Sequence, residues 1–589
     1  MDDVDTRPAA VVDAGSADAA SANTVAAVAN PSDPYLREAQ TFPRLTGEQV
    51  GRAGAFGAAE DLAAGTVLFR RGDHTVDFFI VLQGEIEITE PAPDGGERVI
   101  TVHREHQFTG ELDLFNDRLI LVGGRMGAGG GRVVRMNRAG FRRMLTAEPD
   151  IGEVVMRAFI LRRVGFIEHG QAGVTLVASR QEGVGDSLRI QRFLGRNGYP
   201  VRVLDIDRPG TDGEDARRVL AAHGCGPDDV PVVVCAARVM RNPDNAALGA
   251  YLGLTEALEP DRVFDVAVVG AGPAGLAAAV YAASEGLGTL VLEAEAPGGQ
   301  AATSSRIENY LGFPTGISGG ALAGRAQVQA QKFGARIAVP RRVVRLDCAA
   351  RPYALHLDDG SAVRTRAVVV ATGASYRTLD LPNFDRFSGG NGIHWAATAI
   401  EAGLCEREEV AVVGGGNSAG QAAVFLSRHA AHVHILVRGA GLAESMSDYL
   451  VGRIEASDRI TLHTETEVTA LVGRRHLEQV EWTNRRTGAV ETRPIHNVFL
   501  MLGAVPNTGW LGDCGVAVDE RGFVQVGAAA GADASDPLWS GRRPHVLETS
   551  RPGIFAVGDV RAGSVKRVAS AVGEGSVVVS SVHQVLAEH

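Results

Sequence analysis

Three glycines, Gly270, Gly272 and Gly275, with Pro273 and Ala274 among them, have the spacing that cradles a pyrophosphate. They follow a short apolar run, residues 265–269, and open an Ala-rich stretch of helical character. In such a turn the first glycine permits the tight bend and the second lets the backbone approach the phosphates. The third lets helix and strand pack closely. The phosphates sit on the helix N-terminus, where free N–H groups and the helix dipole favour negative charge. A second strand-like run, TLVLE, ends at Glu293, a carboxylate suited to the two ribose hydroxyls of an adenosine. A bare glycine pattern is equally an ordinary tight turn. The strand before it, the helix after it and the acid at the next strand end make it a dinucleotide site.

A second such set lies at Gly414, Gly416 and Ala419, with Asn417 and Ser418 at the helix start and a strand-like run before it. Here the following run, HVHILVRG, ends in Arg438 instead of an acid. A carboxylate would take a 2′-hydroxyl, whereas a guanidinium suits a 2′-phosphate bidentately, so the expected coenzyme is NADPH. The competing reading is a solvated loop arginine in an arginine-rich chain, whose only lysines are Lys332 and Lys566.

These two sets must be positioned within a chain of 589 residues, too long for a single core, so three or four domains are expected. The net charge of -12 and the lack of a basic stripe argue against a nucleic-acid partner. Cysteines 225, 235, 348, 405 and 514 show no CxxC and no metal-ligand spacing, so neither a disulfide framework nor a metal site is expected. No run approaches eighteen uninterrupted apolar residues, so no membrane span is expected. The N-terminal stretch has no signal-peptide pattern, and the expected location is cytoplasmic.

Residues 1–35 are acidic and rich in Ala and Ser, and read as a disordered tail. Residues 36–168 begin with short strands and Gly turns, the pattern of a small β-barrel or jelly roll, and end in helix. The order VLFRRGD, FFIVLQGEIEI, FTGELDLFND resembles the cyclic-nucleotide-binding domain family. That resemblance implies a ligand cassette at Gly110, Glu111 and Leu112, with Glu111 on the ribose and a cyclic nucleotide as partner. The family's phosphate-binding arginine is missing, since Ile120 and Leu121 stand in its place and Arg118 and Arg125 are out of register. The alternative is a docking or regulatory barrel that has lost its ligand.

Residues 173–255 alternate strand and helix, and the β-α-β start followed by Val-Pro before a strand resembles the thioredoxin/glutaredoxin fold. The resemblance implies a cis peptide at Pro231 facing a redox dithiol. Ser179, Arg180, Gln181, Glu182 and Gly183 occupy the dithiol's place, so the unit reads as an adaptor without redox chemistry. Cys225 and Cys235 then read as small buried hydrophobes.

From 264 onward the chain resembles the low-molecular-weight thioredoxin reductase family, on several motifs in family order. PGGQAATSSRIENYLGFP carries Gly298, Gly299, Gln300 and Asn309; VVVATGASYR carries Ala371, Thr372 and Gly373; TSRPGIFAVGDV carries Gly558 and Asp559. The resemblance implies that all of these contact FAD, with Lys566, Arg567 and Val568 leading into a helix that points at the flavin. It further implies an FAD-binding domain in two parts, 264–380 and 506–589, around an NADPH-binding domain, 381–505, with hydride passing from NADPH to FAD, and it suggests a homodimer. The family's redox Cys-Ala-Thr-Cys reads Ala396-Ala397-Thr398-Ala399 here, so the thiol relay to a thioredoxin-like protein is absent. Cys405 is the nearest thiol and the sole candidate for a redox side chain. The expected architecture is multidomain: a cyclic-nucleotide-binding-like β-barrel, an α/β thioredoxin-like domain and a Rossmann-like two-dinucleotide-fold core. The expected function is an FAD/NADPH oxidoreductase with an open electron acceptor, such as a disulfide, a quinone or a partner protein. The rival is a redox- or nucleotide-sensing regulator with little turnover.

Overall fold

The computed structural model describes residues 37–91, 96–110, 118–168, 173–236, 238–259, 261–304, 307, 309–381, 383–388, 391–442, 446–474, 476–531, 539 and 541–588. The expected tail and the cassette residues Glu111 and Leu112 lie outside these.

A six-stranded antiparallel sheet builds the N-terminal barrel, dominated by the two long strands Phe78–Pro91 and Gly123–Met136. The helices Arg138–Ala147 and Pro149–Glu168 follow it. Phe78 sits 4.9 Å from Phe141 and 6.1 Å from Phe159, ring centre to ring centre, so an aromatic cluster fastens these helices to the sheet.

Residues 174–251 form a four-stranded sheet in the order Arg238–Arg241, Val232–Cys235, Val174–Ala178, Val201–Asp205, with the central pair antiparallel and the last pair parallel. The helix Val184–Arg196 buries Leu188, Ile190, Phe193 and Leu194, and its apolar face joins the barrel's core, so these two units share one continuous interior. The Val230–Pro231 peptide is cis, as expected. Cys235 is buried in that core, and burial pushes its thiol up to about 11; Cys225 is half-buried at a helix end.

The first nucleotide fold centres on the strand Val263–Val269, flanked in parallel by Thr289–Leu292 and Ala362–Val370. The late strand Ile554–Ala556 adds in parallel beside Ala362–Val370, so both ends of the catalytic half contribute to one seven-stranded sheet. Between them a five-stranded parallel sheet forms the second fold, with Glu409–Val413 between His432–Leu436 and Asn497–Leu500. A two-stranded ladder, Ala374–Tyr376 against Ala504–Pro506, connects the folds at the chain crossings. This is why two nucleotide folds, one interrupting the other, can be assembled from one chain.

One expectation is corrected. Cys348 and Cys514 form a disulfide with Cα atoms 5.7 Å apart and a sequence separation of 166. It joins the end of the strand Val343–Asp347 to the turn Gly509–Cys514, and so links the two segments of the first fold. Spacing rules see cysteine pairs close in sequence, and this pair is created by the interruption. Crosslinks of this kind stabilise by about 2–4 kcal/mol.

Candidate active site

The first glycine turn is fixed by close backbone contacts. Gly270 has φ +101°, and a Cβ there would meet the carbonyl oxygen of Ala371 at 2.4 Å. A Cβ at Gly275 would lie 1.9 Å from the Gly270 carbonyl oxygen and 3.2 Å from the Ala371 side chain. At Gly272 a Cβ would meet nothing within 4 Å, so this glycine faces open space at the start of the helix Pro273–Ser284. The three glycines therefore divide into two that close the turn and one that leaves room above it. Glu293 anchors the turn: its carboxylate accepts from the Ala271 N–H at 2.8 Å and the Glu295 N–H at 2.9 Å. Burial pushes this carboxyl above its usual range, and the two backbone N–H groups hold it down.

Other expected contacts gather at the same turn. Gly298 donates its N–H to the Ala271 carbonyl at 2.7 Å, and a Cβ on Gly299 would stand 3.1 Å from Gly272 Cα. Gln300 reaches over to donate to the Ala374 carbonyl. Thr372 donates to the Asn507 carbonyl at 2.8 Å, and the Gly373 carbonyl accepts from the Asn507 N–H at 3.1 Å. A Cβ on Gly558 would be 2.9 Å from Ala274, and one on Gly575 would be 2.2 Å from the Ala274 carbonyl oxygen. The helix Val568–Ala587 is thereby packed directly on the helix that the first turn opens. Lys566 donates to the Asp559 carbonyl at 2.6 Å and sits 4.5 Å over the Phe523 ring. Burial raises the Asp559 carboxyl, against the nearby Lys566 charge. Asn309 and Arg567 are exposed and take no part in these contacts.

The second turn repeats the plan. Gly414 has φ +139°, a Cβ there would meet the Met501 carbonyl oxygen at 2.3 Å, and Ala419 is fully buried in the helix Asn417–Leu426. Asn417 spends its side-chain oxygen on Ser447, accepting from its N–H at 2.8 Å and its hydroxyl at 3.0 Å, so it orients the turn. Ser418 and Arg438 are exposed, Arg438 two residues beyond the strand His432–Leu436.

The run Ala396–Ala399, where a dithiol is missing, leads into the short helix Ala399–Leu404, and the small four-stranded unit reaches it. Arg192, on the helix Val184–Arg196, donates to the Glu401 carboxylate at 2.9 Å; Glu401 is 2% exposed. Glu401 also accepts from the Thr398 N–H at 2.9 Å and from the Thr398 hydroxyl. His394, fully buried, lies 3.5 Å from Arg192 through Nδ1 and 2.8 Å from Asn497 through Nε2. One turn along the helix, Arg196 donates to the Gly299 carbonyl at 3.0 Å and pairs with Glu295 at 3.2 Å. The small unit thus grips both nucleotide folds, one at the flavin-side turn and one at the missing dithiol. A cleft of about 960 Å³ opens between them. Sequence reasoning missed Arg192, Arg196, His394 and Glu401, because no local spacing marks a contact across 209 residues.

After the first strand of the small unit, Ser179 makes a closed turn. Its hydroxyl donates to Asp207 at 2.6 Å and accepts from the N–H groups of Gln181 and Glu182. Cys405 lies in the core of the second fold. Burial, then the charges of Glu408 and Glu401, hold its thiol far above its usual range. A thiol kept protonated is neither nucleophile nor electron relay.

Burial also pushes His394 down to about 4, with Arg192 adding to the effect and Asn497 and Glu401 opposing it. The unfolded imidazole takes its proton near 6.5. Stability from keeping it neutral is therefore complete above 6.5 and lost as pH falls toward 4. The expected result is a loss of roughly 3 kcal/mol over that window from this histidine. Denaturant midpoints at the two ends check it, and His394→Gln should flatten the profile.

In the barrel, Arg118 and Arg125, the two arginines nearest the missing position, both have protein partners. Arg118 donates to the Asn197 carbonyl at 2.8 Å and stacks over Tyr199, while Arg125 pairs with Glu87 and Glu97. Ile120 and Leu121 are buried. Among the described residues, no cluster of three or more His, Cys, Asp or Glu is placed to hold a metal ion, and no helix is long and apolar enough to cross a membrane.

Comparison with known proteins shows what the chain is similar to. Residues 264–575 match the family model for the pyridine nucleotide-disulphide oxidoreductases, and residues 59–148 match that for the cyclic nucleotide-binding domain. The chain is 32% identical over 314 residues to the thioredoxin reductase of Streptomyces coelicolor, covering 53% of this chain and 91% of that protein. It is 30% identical over 332 residues to the thioredoxin reductase of Bacillus subtilis, covering 56% of this chain and 97% of the relative. A solved thioredoxin reductase from Lactococcus lactis in its FR conformation is 27% identical, with a TM-score of 0.49, over 55% of this chain and all of the other.

Proposed function

We propose, for a chain that belongs to the pyridine nucleotide-disulphide oxidoreductase family, that it is an FAD-dependent NADPH oxidoreductase whose electrons leave the flavin without an intrinsic dithiol. The observation that carries this is the pairing of two complete glycine turns with an Ala-Ala-Thr-Ala run clamped by Arg192 and Glu401. The residues present fit FAD: Gly272 leaves space at a helix start, and Glu293 is anchored at the neighbouring strand end. When bound, FAD supplies a two-electron carrier able to accept hydride from NADPH.

Gly270, Gly272, Pro273, Ala274 and Gly275 would hold the pyrophosphate, and Glu293 the adenosine ribose. Gly299, Gln300 and Asn309 would run along the flavin. Ala371, Thr372 and Gly373 would form the return turn, Gly558 and Asp559 would meet the ribityl chain, and Lys566, Arg567 and Val568 lead to the helix whose N-terminus would point at the flavin. Gly414, Gly416, Asn417, Ser418 and Ala419 would take the NADPH pyrophosphate, with Arg438 on the 2′-phosphate. Arg438→Ala is expected to cut kcat/KM for NADPH about tenfold or more, as loss of a charge-assisted hydrogen bond does, while leaving NADH unchanged. Equal losses with both coenzymes would remove Arg438 from this role.

The thioredoxin-like reading of residues 173–255 rests on its strand order, the cis Pro231 and the nearness of Gly183, whose Cβ would lie 3.0 Å from Pro231. We take it as an adaptor that holds the two nucleotide folds in one arrangement. The barrel, 36–168, is the regulatory input, with a cyclic nucleotide as the ligand its family suggests, and the acceptor is a disulfide or protein docked near the flavin. The divisions at 264–380, 381–505 and 506–589, a cytoplasmic location and a homodimer complete the reading. Rapid reoxidation of the reduced enzyme by a disulfide or a partner protein, measured anaerobically by stopped flow, tests the acceptor. Reoxidation by no acceptor other than oxygen would favour the sensing regulator.

A further inference from the structure

The barrel reaches the first glycine turn through one buried residue. Asn197 caps the C-terminal end of the helix Val184–Arg196 and is 2% exposed. Its backbone carbonyl accepts from Arg118 Nη1 of the barrel at 2.8 Å. Its side-chain amide donates to the Phe193 carbonyl at 2.8 Å and to the Glu295 carbonyl of the first nucleotide fold at 3.1 Å. Three units of the chain therefore meet on Asn197.

The junction is fastened on both sides. Toward the barrel, the Leu252 carbonyl accepts from the Leu119 N–H at 2.9 Å and from the Tyr199 hydroxyl at 2.6 Å, and the Arg118 guanidinium lies 5.7 Å from the centre of the Tyr199 ring. Toward the flavin turn, the Glu295 N–H donates to one carboxylate oxygen of Glu293, whose other oxygen accepts from Ala271. Arg196 holds the far end of the same loop at the Gly299 carbonyl. Residues 196 and 197 thus fix both ends of the loop 295–299, which lies against the glycine turn through the bond from Gly298 to Ala271. Packing alone does not call for an asparagine here. Its Oδ1 is buried with no partner among the described residues, which costs stability, so what Asn197 contributes is its donor bonds.

We propose that Asn197 is a positioning residue for FAD, through which the placement of Arg118 in the barrel sets how tightly the turn Gly270–Gly275 holds the cofactor. This deepens the reading of the barrel as a regulatory input, and it rests on the assignment of FAD to that turn. A shift of Arg118 moves the Asn197 carbonyl, and the amide on the same residue carries the shift to Glu295 and on to Glu293. Coupling of this kind runs through hydrogen-bond networks between packed elements, and single substitutions along them change it about twofold to thirtyfold.

The test follows FAD release from the full-length holoenzyme, read as the recovery of flavin fluorescence after dilution. Asn197→Ala, and Asn197→Asp of the same shape without the amide donors, should each release FAD about threefold to tenfold faster. Arg118→Met should speed release by a similar factor alone and add nothing in the Asn197→Ala background, which is the signature of coupling in a double-mutant cycle. Tyr199→Phe removes a buried bond at the same junction without touching Glu295, so it should lower the melting temperature and leave release unchanged. Glu293→Ala, which cuts the turn's own anchor, should speed release tenfold or more. Given that last result, unchanged release in both Asn197 variants would overturn the proposal. So would an Arg118→Met effect that persists in full without the Asn197 side chain, or equal acceleration in Tyr199→Phe. Unchanged release in Glu293→Ala as well would remove the assignment of FAD to this turn, and the coupling with it.

Discussion

Gly275→Ala is expected to yield protein without flavin. The added Cβ would lie 1.9 Å from the Gly270 carbonyl oxygen, which belongs to the backbone of the turn itself and cannot swing aside. Ala371 closes the other side at 3.2 Å, so the helix Pro273–Ser284 must lift from the strand. Overpacking of this kind costs about 1–3 kcal/mol or more in a rigid setting, and the helix N-terminus moves with it. The informative control is Gly272→Ala, where a Cβ meets nothing within 4 Å. That variant should fold normally yet hold FAD more weakly, because the methyl occupies space left for the phosphates. Flavin-to-protein absorbance ratios, with thermal unfolding of both variants, separate the two effects. Full flavin occupancy in Gly275→Ala would mean that the turn is not the cradle.

The second large effect is expected at Arg192. Arg192→Ala leaves Glu401 as a buried carboxylate with only Thr398 beside it, and removing one partner of such a pair costs about 3–5 kcal/mol. The double variant Arg192→Ala, Glu401→Gln should recover part of that loss, since no charge is then stranded. Because Arg192 joins the small unit to the second nucleotide fold, the single variant should also expose the 396–404 segment to amide exchange while the barrel stays protected. A loss below about 1 kcal/mol, within the range of surface pairs, would mean the clamp is cosmetic.

What the sequence made legible follows from how local each cause is. Gly270, Gly275 and Gly414 are required by backbone contacts in or beside their own turns, so spacing alone marks them. Pro231 and the alternating runs around it likewise announce a small α/β unit. The contacts that give this chain its character are not local. The Cys348–Cys514 disulfide and the Arg192–Glu401 pair each join segments separated by an inserted fold or by a domain boundary, and nothing near either residue encodes its partner. The barrel shows the same limit in reverse. Arg118 and Arg125 look available in sequence, yet one is recruited by the Asn197 carbonyl and the other by strand carboxylates. Losses were easier to read than replacements: the alanines at 396 and 399 are plain, while the arginine that reaches the neighbouring Glu401 is not.

The most direct test of the central claim is an anaerobic titration of the oxidised protein with NADPH, counting the equivalents needed to bleach the flavin. With FAD as the one active redox centre, bleaching should be complete at about one equivalent per flavin, with no charge-transfer band from a thiolate. Consumption of about two equivalents would reveal a second two-electron centre in contact with the flavin and contradict the account. No bleaching at all would contradict it more deeply, because the second nucleotide fold would then not deliver electrons to the first.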